Sequence, residues 1–150
     1  MKKTLMLMLM LLTVVFVGNA QNKGDREAKA KEFMEFKIKF LADEIGLKGD
    51  TRQKFVTLYT QYEKEKRVLW KKARDMEKKI KANKNASEAE YEEWNKAKTK
   101  IDDLESSYDK KFAQFLNSKQ IYQMKKAEDE FMRKIRSCRD KKKGERNQKK

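Results

Sequence analysis

"FLNSKQIYQMKKAE", residues 115–128, holds the boundary between two helical stretches although it contains neither Gly nor Pro. Upstream, an apolar seam ends at Phe115 and Leu116. Downstream, a new one begins at Ile121 and continues through Met124, Glu128, Phe131, Ile135 and Cys138. The two seams differ in phase, so one unbroken helix would turn one of them away from its packing partner. Between them stand Asn117 and Ser118, whose short side chains compete for local backbone N–H groups and so favour helix starts. The spacing predicts a boundary made by capping chemistry.

Working towards the N-terminus, the upstream helix is predicted from Ser87 to about Phe115. Its seam is Tyr91, Trp94, Lys98, Ile101, Leu104 or Glu105, Tyr108, Phe112 and Phe115. Ser87 and Glu90 form an S-x-x-E capping box, and Asn83 and Asn85 end the helix before it. That preceding helix, Thr51 to Asn83, carries Phe55, Tyr59, Tyr62, Leu69, Ala73, Met76 and Ile80 at alternating steps of three and four, interrupted by Lys66. A short loop between two long helices makes them antiparallel neighbours. "GLKGDT", residues 46–51, separates them from a first helix over Glu27 to Ile45, with Phe33, Phe36 or Lys37, Phe40 and Leu41 at helical spacing. Gly46 is placed as a left-handed C′ residue, with Asp50 or Thr51 as the next N-cap. No segment sustains the period-2 alternation of a strand. The expectation is all-α: four helices, elongated, with a long central antiparallel hairpin.

The two ends differ from this middle. "MKKTLMLMLMLLTVVFVGNAQ" has two lysines, an apolar run from Leu5 to Val17, and Gly18 and Ala20 as small residues ahead of a charged region, the pattern of a secretory leader cleaved after Ala20. The run is short of the roughly 20 residues a membrane-spanning helix needs. Expected boundaries are thus 1–20 leader, 21–140 helical domain and 141–150 a disordered basic tail, "KKKGERNQKK", that carries no seam. Export predicts a periplasmic location.

The 150 residues hold 39 Lys and Arg against 24 Asp and Glu, and no His. Removing Lys2 and Lys3 with the leader leaves 37 against 24, a net charge of +13 on the exported chain. Basic residues interleaved with acidic ones on helices of an exported protein point to acidic proteins or surfaces, not to nucleic acid. The absence of His removes the commonest general base and every Ser–His or Cys–His arrangement. Adjacent carboxylates such as Asp102 and Asp103 lie about 100° apart on a helix, a poor geometry for paired acid and base work. With one cysteine, Cys138, and scattered carboxylates, no ordinary zinc or nickel ligand set assembles. The expectation is a protein without enzymatic activity, metal, cofactor or small-molecule substrate.

"LNSKQ", Leu116 to Gln120, resembles the L-T-x-x-Q motif of the Spy/CpxP family of exported helical stress proteins, with Asn117 where the family prefers Thr. Both residues cap helices. The family carries the motif twice; near residue 47 this chain reads "LKGDTRQKF", where Lys48 follows Leu47 and Gln53 arrives two positions late, a degenerate first copy. The resemblance covers roughly residues 27–138 through leader, helical layout, basic charge and second motif. It implies a thin, curved homodimer acting in the periplasm as an energy-independent chaperone or as a regulator that binds the sensor domain of an envelope-stress kinase. The family's metal-sensing members rely on histidine, which is absent here.

Apolar residues outside the seams, Val56, Leu58, Val68, Trp70, Tyr122 and Met132, stand beside Lys66, Lys71, Arg74, Lys125 and Arg133. From these, Leu58, Lys66, Trp70, Lys71, Arg74, Tyr122, Lys125, Met132 and Arg133 are the candidate client-binding residues. Aromatic and methionine side chains adapt to unfolded apolar segments, and cations attract acidic chains at long range. The bland reading is that Leu58 and Trp70 only widen a core stripe or complete a dimer interface. The expected function is binding of partly unfolded or acidic envelope proteins. The alternatives are a dedicated regulator of one envelope sensor, a helical protein adsorbed on anionic membrane, or a relative of the Skp-type chaperones, whose β-rich trimerisation body finds no counterpart here.

Overall fold

The structure, a computed structural model, describes residues 23–83 and 85–148; the leader predicted over residues 1–20 lies outside them. Four α-helices follow in order: α1 (Lys23–Glu44), α2 (Gly49–Ala82), α3 (Glu88–Phe112) and α4 (Ser118–Gln148), with no strand among the described residues. None of the described helices is long and apolar enough to cross a membrane.

The described chain divides into two compact units, one ending at Phe40 and the other beginning at Leu41. In the first, α1 buries Lys37, Ile38 and Phe40 and carries the exposed Lys31–Glu35 pair at 3.8 Å. The seam therefore admits a lysine, whose long aliphatic stem packs as an apolar group does.

The second unit opens with the last turn of α1. Gly46, at φ +70°, donates its N–H to Asp43 O at 3.1 Å, and Leu47 N–H reaches Ala42 O at 2.9 Å. These two bonds form a Schellman motif, which needs a residue free of the Cβ penalty at its left-handed position. Arg52 then ties the turn from the other side, pairing with Asp43 at 2.6 Å and donating to Leu47 O at 3.4 Å. The predicted caps Asp50 and Thr51 do not cap. α2 begins earlier, at Gly49, with extended Lys48 in the N-cap position and no side-chain cap bond. Gly49 adopts φ +53°, so the chain turns into the helix before Asp50, which instead adds a negative charge to the first turn.

α2 and α3 pack along their lengths, and the pairings run in opposite directions: Phe55 meets Phe112, Tyr62 meets Tyr108, and Ala73 shares a cluster with Ala97 and Ile101. One end of this interface is aromatic, with Phe55, Tyr59, Tyr62, Tyr108 and Phe112 linked at ring-centroid distances of 5.0 to 6.4 Å. Such pairs add to what burial alone contributes. At the other end two alanines let the backbones approach, with Leu69 and Met76 packed around them. Periodicity places Lys98 in the α3 seam. Ala97 is buried there in its place and Lys98 is exposed, because the narrow Ala73 stretch accepts only a small partner.

α3 ends at Phe112, short of the predicted Phe115, in tight turns with Phe115 N–H and Leu116 N–H both donating to Phe112 O at 3.1 and 2.9 Å. α4 buries Met124, Ala127 and Phe131. It also continues past Asp140 to Gln148, where the sequence reading expects order to be lost. The segment lacks a seam but also lacks Pro, and Lys, Arg, Glu and Gln are good helix formers.

Candidate functional site

Asn117 and Gln120 meet as a reciprocal pair. Asn117 Oδ1 accepts from Gln120 N–H at 2.9 Å, and Gln120 Oε1 accepts from Asn117 N–H at 3.1 Å. This is the capping-box geometry with an Asn and a Gln in place of the usual Ser and Glu. Ser87 and Glu90 make the ordinary version, with Ser87 N–H donating to Glu90 Oε2 at 2.8 Å and Glu90 N–H to Ser87 Oγ at 3.4 Å. Leu116 precedes the Asn117 cap and is buried. The motif thus fixes where α4 starts and anchors the residue before it. Leu47 occupies the corresponding position before α2 and is buried too, but Lys48 and Thr51 replace the two capping side chains and make no cap.

Three of the charges that interrupt the apolar seams come together. Lys66 of α2 lies 2.6 Å from Glu105 of α3 and 3.9 Å from Glu128 of α4, and its ammonium donates to the Tyr62 hydroxyl at 2.8 Å. It also sits 4.9 Å from the Tyr62 ring centroid, and Tyr62 donates to Glu105 Oε1 at 3.1 Å. The side chains of Lys66 and Glu128 are only 19% and 18% exposed, so the pair is shielded from water while Glu105, at 44%, reaches it. Burial pulls the Lys66 pKa down. The hydrogen bond to Glu105 and the charges of Glu128, Glu105 and Glu63 outweigh it, and the net shift is upward. Tyr62 is held well above the ordinary phenol value by burial, then by Glu105 and Glu128. Tyr59 is raised by burial and then by the negative charges of Glu128 and Glu63. Lys66 is accordingly a structural tie between three helices, and not the surface cation that the sequence suggests.

The other candidate residues scatter. Lys125 is engaged by Asp109. Trp70 is 40% exposed, with the Lys98 ammonium 5.6 Å from its ring and equally 5.6 Å from that of Trp94. Tyr122 is 65% exposed, with Lys126 at 5.8 Å from its ring. Lys71, Arg74 and Arg133 are exposed, and Met132 is half-buried. Leu58 lies in a concavity. It lines an open depression of about 630 Å³ with Phe115, edged by Gln53, Lys54, Thr57, Gln61, Lys111 and Gln114. Sequence periodicity flagged Leu58 but not Phe115, which reads as the last seam residue of α3. The turn that ends α3 at Phe112 leaves Phe115 half-buried at the lip of the depression.

No group of His, Cys, Asp and Glu able to hold a metal occurs among the described residues. Comparison with family models, with curated proteins and with solved structures finds no match.

Proposed function

We propose that the chain is a non-enzymatic binding protein for partly unfolded or acidic protein segments, acting as a homodimer in an exported setting after loss of its leader. The observation that carries this reading is the depression at Leu58 and Phe115. It offers two apolar side chains, Leu58 and Phe115, with three glutamines and a threonine able to pair with exposed backbone, and the charged residues lining it are Lys54 and Lys111. An acidic chain is drawn in by the lysines, and an apolar side chain of that chain is held weakly below them. Weak, adaptable contact suits clients that must be released without an energy source.

Light scattering of several unrelated aggregating clients, with the chain added at low and raised ionic strength, tests the reading. Suppression for all of them, weakened by salt and by a Leu58→Asp, Lys54→Glu double substitution, is expected. Suppression for none, with tight binding to one folded partner, replaces the reading with a dedicated regulator. Sedimentation of the purified protein tests the dimer.

A further inference from the structure

Among the residues through Lys141, Phe131 is the last buried one of α4, with Ile135 and Cys138 half-buried beyond it, and the helix runs on to Gln148. Residues 133–148 hold eight Lys and Arg against Asp140 and Glu145, a net charge of +6. Arginine is concentrated there. The chain has eight arginines among its 39 basic residues, and Arg133, Arg136, Arg139 and Arg146 are half of them.

Their spacing is ordered. Arg136, Arg139, Lys143 and Arg146 follow one another by three, four and three residues, so at about 100° per residue their positions fall on one line of the helix, roughly 15 Å long. Glu145 falls on the opposite side of the helix, whereas Asp140, four residues after Arg136, borders the row. One turn earlier the same line carries Met132, half-buried, an apolar end to a cationic row. Lys134 is paired with Glu130 at 2.8 Å, whereas Arg136 and Arg139 are exposed. The same spacing sets Arg139 against Lys143 and Lys142 against Arg146 at i,i+4, where like charges oppose the helix; Arg136 with Asp140 and Lys141 with Glu145 offset part of this, and Gly144 weakens the helix further. A surface that supplies fixed negative charge along the row removes this repulsion and so favours helix.

We propose that residues 133–148 form an anion-docking helix that lies on a phosphate-bearing lipid surface, with the row from Arg136 to Arg146 towards the headgroups. The guanidinium fork binds phosphate oxygens in pairs, which explains arginine in a chain otherwise rich in lysine. A lipid surface fits better than nucleic acid because the segment has no aromatic residue on which a base could stack. Its Met132 edge resembles the apolar border of interfacial helices. The row shares no residue with the depression at Leu58, so either proposal can fail without the other.

Co-sedimentation of the full chain with vesicles of phosphatidylcholine alone, and with about a third phosphatidylglycerol, tests the proposal. The apolar run at residues 5–17, with Lys2 and Lys3 ahead of it, is common to the parent and every variant, so the measured quantity is the change between them in the ratio of binding to the two vesicles. A preference for anionic vesicles on the order of 100-fold or more is expected at low salt, together with a gain of helicity by circular dichroism. Substituting Arg136, Arg139, Lys143 and Arg146 by Gln should reduce that ratio at least about tenfold with an unchanged thermal melt. Replacing the three arginines by Lys, which keeps the charge and controls for folding, should hold it within about tenfold of the parent. Equal partition of the parent chain into both vesicles, a preference that survives the Gln substitutions, or a ratio that collapses in the Lys variant overturns the proposal. So does binding to polyuridylate RNA with none to anionic vesicles.

Discussion

Replacing Lys66 by Met tests whether the charge cluster holds α2, α3 and α4 together. The substitution keeps most of the side-chain volume and removes the ammonium that lies 2.6 Å from Glu105, 3.9 Å from Glu128 and 2.8 Å from the Tyr62 hydroxyl. The carboxylates remain. Stranding one partner of a fully buried ion pair costs about 3–5 kcal/mol, and the exposure of Glu105 reduces this here to about 2–3 kcal/mol. With a urea slope of about 2 kcal/mol/M, the unfolding midpoint followed by circular dichroism at neutral pH should drop by roughly 1–1.5 M. The same argument predicts rescue. Adding Glu105→Gln and Glu128→Gln removes the stranded charges, and the triple variant should recover to within about 1 kcal/mol of the parent, because a whole ion-pair cluster is close to neutral against uncharged replacements. A Lys66→Met protein within about 0.5 kcal/mol of the parent, or a triple variant destabilised by the sum of the single effects, refutes the cluster as a structural tie.

Two further predictions concern the helix starts and the tyrosines. Asn117→Ala should cost about 1 kcal/mol in thermal unfolding and Asn117→Thr less than about 0.5 kcal/mol, since Thr also caps; a harmless Asn117→Ala would show that the reciprocal bonds with Gln120 do not set the start of α4. Tyr108 is pushed up to about 12 by burial and by its hydrogen bond to Glu65, at 2.8 Å, and Tyr59 and Tyr62 are raised well beyond the ordinary value of 10.0. A phenol whose folded pKa is raised holds its proton more tightly in the native state. Its stabilisation is therefore complete below pH 10 and is lost as pH climbs through about 12. Alkaline titration followed by tyrosinate absorbance should show a step near pH 12 that Tyr108→Phe removes, and helicity falling as pH rises from 10; five tyrosines ionising together near pH 10 would contradict this.

Periodicity made the helices legible because each seam repeats over many turns, so an error at one position does not move the face. It placed the aromatic residues Phe55, Tyr59, Tyr62, Tyr108 and Phe112 correctly for the same reason. Local capping was equally readable at Ser87, where partner and cap lie three residues apart. What stayed hidden depends on alignment between elements distant in sequence. Lys66, Glu105 and Glu128 each look like a flaw in its own seam, and only the docking of three helices makes them one cluster. The exchange of Lys98 for Ala97 has the same origin, since the space opposite Ala73 decides it and no spacing within α3 encodes that space. Lys48 displaced Asp50 and Thr51 because the two left-handed glycines, Gly46 and Gly49, bring the chain into the helix sooner than capping preference suggests.

The positive charge of the chain is therefore not one property. Eleven basic and five acidic residues give α2 a net +6, and five basic against eight acidic give α3 a net −3, so part of the excess is matched by helix docking. Lys66 is held in the shielded cluster, and Arg52 and Lys125 are paired between segments. Exposed cations lie elsewhere: Lys54 and Lys111 at the depression, Lys71 and Arg74 along α2, and Arg136 and Arg139 on α4. Salt separates the two groups, because exposed charges are screened within about 8 Å at physiological ionic strength while a half-buried cluster is screened much less. Binding that fades with added salt while the unfolding midpoint holds steady is what this division requires. Loss of both at the same salt concentration would mean that the cations holding the fold together and those available to partners are the same.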